Sequence, residues 1–138
     1  MALVGRLHPL LVHFPIALVL AAAGAELISV AAQYPRWHQV AITNLRVGAA
    51  GAVVAAGAGW ILASSSLVEA SAGLEWHRWV GLTAALIAMA AALASADLDR
   101  RPAGRWPYRI ALWLAAVLVA VAGHLGALLV WGAGFLRP

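Results

Sequence analysis

Four long apolar stretches, separated by short polar segments, decide what this chain can fold into. They cover about residues 9–32, 41–63, 76–96 and 107–132. About 20 consecutive apolar residues are enough to cross the hydrocarbon core of a bilayer as a helix. The stretches therefore predict an all-α integral membrane protein. Because the connections are short, we expect a single domain over residues 1–138, folded as a four-helix up-down-up-down bundle.

The composition agrees with a chain that is surrounded by lipid. Hydrophobic residues make up 64% of the 138 residues and charged residues only 10%, whereas soluble domains hold about 25% charged residues. A lipid bilayer is therefore the expected partner, and nucleic acid is not, despite the net charge of +4. The lack of cysteine excludes disulfides, thiolate metal ligands and thiol catalysis. The first apolar stretch is too long for the core of a secretory signal, so we expect a retained span.

The arginines predict how the bundle is oriented. Short cytoplasmic loops of membrane proteins carry an excess of basic residues. All nine basic residues are arginine, and six fall at the face opposite to the chain termini, against three at the face of the termini. Both termini are therefore expected on the outer face, which is periplasmic if the membrane is the bacterial inner membrane. The six are Arg36, Arg46, Arg100, Arg101, Arg105 and Arg109, and the three are Arg6, Arg78 and Arg137.

Four of the five histidines fall in the outer half of this bundle. His8 and His13 begin the first apolar stretch. His77 begins the third, and His124 lies late in the fourth. At about 1.5 Å per residue, His13 and His124 lie roughly 5–10 Å above the bilayer midplane, and the other two roughly 15–18 Å above it. Ionisable side chains deep in a span usually face the bundle interior and mark functional sites, so these four residues predict a cofactor-binding cluster.

Two prolines shape the entry of the first helix. Pro9 fits the first helical position, where the N–H that it lacks would have no partner. Pro15 removes the hydrogen bond to the carbonyl of Leu11, which predicts a kink. Because of that kink, His8 and His13 need not follow the geometry of one straight helix, and both could face the interior.

The choice of cofactor follows from the groups that accompany the histidines. Catalytic zinc and di-iron sites normally add carboxylates, but the one acid deep in a span, Glu26, lies toward the opposite face. Haem b needs only two neutral imidazoles that face each other across a slot between helices. We therefore predict that His13 and His124 ligate the haem iron. Copper or zinc bound by imidazoles stays open as the alternative.

The shallower histidines and two arginines have more than one candidate role. His8 and His77 could bind a second haem or a metal ion, contact the haem propionates or line a quinone pocket. Arg6 and Arg78 are candidates for contacts with propionates or with lipid headgroups.

Two further polar residues are expected at the opposite face. His38 lies in the polar segment 33–39, where contact with water or headgroups is the simplest prediction. Glu26 is expected to pair with Arg46 or with a neighbouring helix, and proton transfer is its alternative role.

Three motifs resemble those of one family of small bacterial membrane proteins. They are LHPLLVHFPIAL at 7–18, WHRWVG at 76–81 and GHLGALLVWG at 123–132. The family is catalogued as domain of unknown function 2231, and the resemblance spans nearly the whole chain. It implies a four-helix membrane fold, with the motif histidines at the four positions grouped above. Some relatives are joined to c-type cytochrome domains, which implies a periplasmic redox setting but no defined activity.

Three functions are consistent with the sequence. The first is electron transfer by a membrane protein that holds haem b near the outer leaflet, alone or as a subunit of a larger redox complex. Other membrane subunits, a periplasmic cytochrome or a quinone would then be its partners. The second is a non-haem site for copper, zinc or iron, and the third is a cofactor-free structural subunit. No catalytic residue is predicted, so a stand-alone enzyme is not expected.

Overall fold

The computed structural model describes residues 5–98, 105–132 and 134, and its regular elements are all helical. Four segments are long and apolar enough to cross a membrane, with lengths of 24, 29, 23 and 27 residues. No strand occurs among the described residues. The prediction of an all-α membrane protein with four spans is confirmed. The helices are α1 (His8–Leu11), α2 (His13–Ala31), α3 (Pro35–Ala63), α4 (Ala72–Ala94) and α5 (Arg105–Trp131), with a 3₁₀ turn at Ser95–Asp97.

Three of the arginines used to predict the orientation lie outside the described residues. They are Arg100, Arg101 and Arg137.

The second long helix begins earlier than predicted. α3 starts at Pro35 rather than near residue 41, and only residues 32–34 connect it to α2. Proline is favoured in the first turn of a helix because the N–H that it lacks would have no partner there. Gln33 makes the tight connection with a positive φ of 53°. The polar residues that follow are therefore helical, and His38 lies on a helix instead of in a loop.

The first span is interrupted at Val12, between α1 and α2. Pro15 has no N–H to donate to the carbonyl of Leu11, and the next residue, Ile16, donates to the Val12 carbonyl at 3.3 Å. The backbone angles of Val12 stay helical, at φ −66° and ψ −26°, so the interruption is local. The buried Pro15 faces Gly51, where a Cβ would lie 3.6 Å from the proline ring. The kink predicted at Pro15 stays a prediction.

Close packing of small residues joins the four long helices. α2 packs on α3 and α5, and α4 packs on the same two helices. At Gly48 a Cβ would lie 3.0 Å from Val19, so α2 and α3 approach each other through a position that needs glycine. Since lipid provides little hydrophobic drive between helices, such close contacts are what stabilise a bundle. Four fully buried side chains, one from each long helix, are Ala22, Ala49, Ala88 and Ala115.

The outer surface of the bundle is also apolar. Large side chains such as Leu86, Leu93 and Val130 are 61%, 69% and 71% exposed. Soluble proteins rarely expose a large contiguous apolar surface, whereas lipid chains cover such a surface favourably. The surface and the helix lengths together place the protein in a membrane.

Candidate cofactor site and buried charge cluster

The structure brings together two of the four predicted cofactor ligands, His8 and His77. His8 is the first residue of α1, and His77 lies in the second turn of α4. Their ring centres are 6.0 Å apart, and the ring planes make an angle of 73°. Both side chains are half-buried. These two residues are called the histidine pair below.

A backbone carbonyl of a further helix fixes each imidazole of the histidine pair. His8 Nδ1 lies 2.9 Å from the carbonyl oxygen of Ala55 in α3, and His77 Nδ1 lies 3.0 Å from that of Ala122 in α5. A carbonyl oxygen only accepts hydrogen bonds, so Nδ1 must be the donor in each ring. In the neutral rings Nε2 then keeps a free lone pair, and nothing in the described part of the chain donates to it. Metal-bound histidines commonly have this arrangement.

A glycine beside each accepting carbonyl makes room for the ring. Gly59 and Gly126 each lie one helical turn after the accepting alanine. A Cβ at Gly59 would lie 2.6 Å from His8 Cε1, and one at Gly126 would lie 3.1 Å from His77 Cε1. Side chains on a helix lean over the turn that precedes them, so a larger residue would cover the carbonyl. The two places share one local design, an Ala-x-x-x-Gly notch that receives an imidazole from another helix.

The other two predicted ligands, His13 and His124, are exposed side chains. They lie on α2 and α5, which pack together, and Ile16 Cδ1 would be 3.2 Å from a Cβ at Gly123. The described residues contain no group of three or more His, Asp or Glu side chains that could hold a metal ion. The expected convergence of four imidazoles is therefore found only for the histidine pair. The assignment of His13 and His124 as iron ligands stays a prediction.

The two arginines predicted to accompany the histidines differ in their surroundings. Arg6 is exposed. The guanidinium carbon of Arg78 lies 4.1 Å from the centre of the Trp60 ring, which is a cation–π arrangement. Trp79 packs edge-on against Trp60, with 5.9 Å between ring centres. The buried Nε of Arg78 has no hydrogen-bond partner among the described residues, so this arginine has an unused donor.

A second polar site, called the glutamate cluster below, joins Glu26, His38, Tyr108 and Arg109. The fully buried Glu26 accepts from Arg109 Nε at 2.7 Å. Its other carboxylate oxygen lies 2.6 Å from His38 Nδ1. The buried Tyr108 ring packs edge-on against the His38 ring, with 5.7 Å between centres. Residues of α2, α3 and α5 thus meet around one buried carboxylate, and the path along a helix from residue 8 to residue 26 is about 27 Å.

The partners of Glu26 correct two expectations. Arg46 does not pair with it, because Arg46 donates instead to the Ser95 hydroxyl at 3.0 Å and to the Ser95 carbonyl at 3.1 Å. The neighbouring helix α5 supplies Arg109, as the alternative predicted. The His38 side chain is only 17% exposed, because it pairs with Glu26 rather than with water or headgroups. Sequence reasoning missed this contact, and the proline that starts α3 was the signal for it.

These features define a class of protein: a small helical membrane protein that holds a histidine pair and, about 27 Å away along the helices, a buried carboxylate. The chain belongs to the family described as "Predicted membrane protein (DUF2231)", whose family model matches residues 6–136. The resemblance seen in the three motifs is thereby confirmed. No curated protein and no solved structure matches the chain. The family description names no activity, so the function has to be argued from the site.

Proposed function

We propose that this protein binds haem b between His8 and His77 and transfers electrons at the outer side of a membrane. The observation that carries the proposal is the separation of 6.0 Å between the two ring centres. Two metal–nitrogen bonds of about 2 Å each, added to the radii of the two rings, require a separation of about 6 Å. The observed separation of the ring centres is therefore compatible with one metal ion between the two rings.

The small number of ligands favours haem over a bare metal ion. Zinc sites use three or four protein ligands, whereas no third His, Asp or Glu joins the histidine pair within the described residues. A porphyrin supplies its own four nitrogens, so two axial histidines complete the coordination of the iron. The glycine notches seat the two imidazole rings against α3 and α5.

The protein's own contribution would be to hold the two ligands ready. The bonds from Nδ1 to the carbonyls of Ala55 and Ala122 fix the orientation of each ring and make Nε2 a better ligand. Arg6 is the proposed contact for a propionate, since it lies two residues before His8. Bound haem would supply the electron transfer itself.

The proposed topology is up-down-up-down, with both termini on the outer side. The short connections at 32–34 and 64–71 and the packing of each long helix on its neighbour in sequence support this path. In a bacterial inner membrane the histidine pair would then face the periplasm. A periplasmic cytochrome or another membrane subunit would exchange electrons there, and a quinone is the alternative partner.

Our first choice of iron ligands is the histidine pair, whose rings contact each other and are half-buried. The predicted ligands His13 and His124 are exposed. The exposed pair then provides matched control variants for the test. Haem content is measured from the absorption spectrum of detergent-purified protein made with ample haem, before and after reduction by dithionite. The wild type should show a Soret band that shifts on reduction.

The variants assign the ligands. His8→Ala and His77→Ala should each lower the haem bound per chain about tenfold or more, whereas His13→Ala and His124→Ala should keep it. Loss of haem only in the latter two variants would overturn the histidine pair and return the assignment to the deeper residues.

Colourless wild-type protein would overturn haem binding. Elemental analysis then separates the other two functions. Stoichiometric copper, zinc or iron that disappears in His8→Ala and His77→Ala would indicate a non-haem metal site. A preparation with neither colour nor metal would indicate a cofactor-free structural subunit.

A further inference from the structure

An apolar cleft opens between α3 and α4, on the side surface of the bundle. Its volume is about 360 Å³, and it is lined by residues between 53 and 60 of α3 and between 82 and 86 of α4. Three lining side chains, Val53, Trp60 and Leu86, are 47%, 41% and 61% exposed, so the cleft opens outward from the bundle. Along α3 it extends from residue 53 to residue 60, which is about 10 Å.

A positively charged side chain, Arg78, lies at one end of this cleft. Trp60 lines the cleft, and the Arg78 guanidinium lies 4.1 Å from the centre of the same indole ring. Arg78 Nε is buried and donates to no acceptor in the described segments. A buried donor without an acceptor costs free energy, and a guanidinium is well suited to bind phosphate. An anionic group at this end of the cleft would pair with the charge of the guanidinium.

We propose that the cleft binds an anionic phospholipid, with one acyl chain along α3 and α4 and the phosphate on Arg78. The lining is entirely apolar in the stretch from Val53 to Gly57, as an acyl chain requires. Trp60 lies three residues before the end of α3, where indole rings commonly mark the headgroup zone. A lipid can enter from the bilayer through the open side of the cleft. Its acyl chain would then contact the apolar lining, and its phosphate would lie at the end of the cleft near Arg78.

The test compares two lipids with identical acyl chains, phosphatidylglycerol and phosphatidylcholine, added to the detergent-purified full chain. Bound lipid is counted by native mass spectrometry. The wild type should bind phosphatidylglycerol at least fivefold more tightly, which corresponds to about 1 kcal/mol. Arg78→Gln should remove this preference, and Arg36→Gln, which changes an exposed arginine at the start of α3, should keep it.

A second matched pair of variants tests whether an acyl chain binds in the cleft. A Cβ at Gly57 or at Gly24 meets nothing within 4 Å, so both positions tolerate a side chain, but only Gly57 lines the cleft. Gly57→Leu should fill the cleft and reduce the binding of both lipids, whereas Gly24→Leu should leave it unchanged. Circular dichroism checks that each variant keeps its helical content.

Three results would overturn the proposal. One is equal binding of the two lipids by the wild type or an unchanged preference in Arg78→Gln. Another is unchanged lipid binding in Gly57→Leu. The third is complete displacement of phosphatidylglycerol by an equal concentration of inorganic phosphate, which would indicate a free-anion site without an acyl chain. None of these readouts depends on bound haem or metal.

Discussion

At the scale of single residues, the positions of the glycines determine where an imidazole ring can pack against a neighbouring helix. The segment VGAAGAVVAAGAGW at 47–60 resembles a uniform packing surface, but its glycines have different surroundings. Gly48 lets α2 approach through Val19, Gly57 borders the open cleft, and Gly59 makes room for the ring of His8. The position of the His8 ring thus depends on a missing side chain on another helix.

Replacing the notch glycines should displace the rings. An alanine Cβ would lie 2.6 Å from His8 Cε1 in Gly59→Ala but 3.1 Å from His77 Cε1 in Gly126→Ala. We expect Gly59→Ala to break the hydrogen bond of His8, at a cost of about 1 kcal/mol, and Gly126→Ala to have a smaller effect. Imidazole ¹⁵N NMR spectra would report the lost Nδ1–H bond. Gly24→Ala, where a Cβ meets open space, is the control, and a wild-type spectrum for Gly59→Ala would contradict the notch.

The sequence revealed the histidines but not their directions. Counting residues gives the depth of a side chain along a helix to within about a turn, and His8 and His77 were correctly matched in depth. The direction around the helix axis depends on the twist and packing of all neighbours. The matched depth of His13 and His124 stays a prediction, and both side chains are exposed. The sequence pattern of one helix does not show this direction. It becomes predictable only when the glycine notch on the second helix is recognised.

At the scale of helices, the glutamate cluster ties three of the four long elements together. Glu26 comes from α2, His38 from α3, and Arg109 from α5. The contact with His38 depends on the early start of α3 at Pro35, because a flexible loop would leave that imidazole in water. The apolar run alone placed the helix start near residue 41. The contact between Glu26 and His38 was therefore not predicted, because proline and not hydrophobicity sets the start of α3.

Removing the buried charge should destabilise this connection. Breaking a fully buried ion pair costs about 3–5 kcal/mol, but the Arg109 side chain is 25% exposed, so for Glu26→Gln we expect about 2 kcal/mol. The free energy of unfolding can be measured by titrating micelles with a denaturing detergent. Glu75→Gln removes an exposed carboxylate from the first turn of α4 and should change this free energy by less than about 0.5 kcal/mol. Equal effects of the two substitutions would contradict a stabilising role for the cluster.

At the scale of the whole molecule, the lengths of the apolar stretches were the most reliable information in the sequence. They predicted the number of spans and the helical class, because a bilayer leaves a chain few alternatives to a helix. The direction of the bundle rests on weaker information, the distribution of arginine. Of the described arginines, Arg6 and Arg78 lie near the histidine pair. At the other side, Arg36, Arg105 and Arg109 lie near the starts of their helices. Arg46 lies about three turns inside α3 and binds Ser95 at the end of α4.

Cysteine labelling can test this orientation without background, since the chain has no cysteine of its own. Ser66→Cys places a thiol in the exposed connection between α3 and α4, and Ala32→Cys places one in the exposed connection between α2 and α3. A maleimide that does not cross membranes should label Ser66→Cys in intact cells and Ala32→Cys only after permeabilisation. α3 lies between the two positions, so labelling of both in intact cells would contradict its span. The reversed pattern would put the histidine pair on the cytoplasmic side, and periplasmic electron partners would then be excluded even if haem is bound.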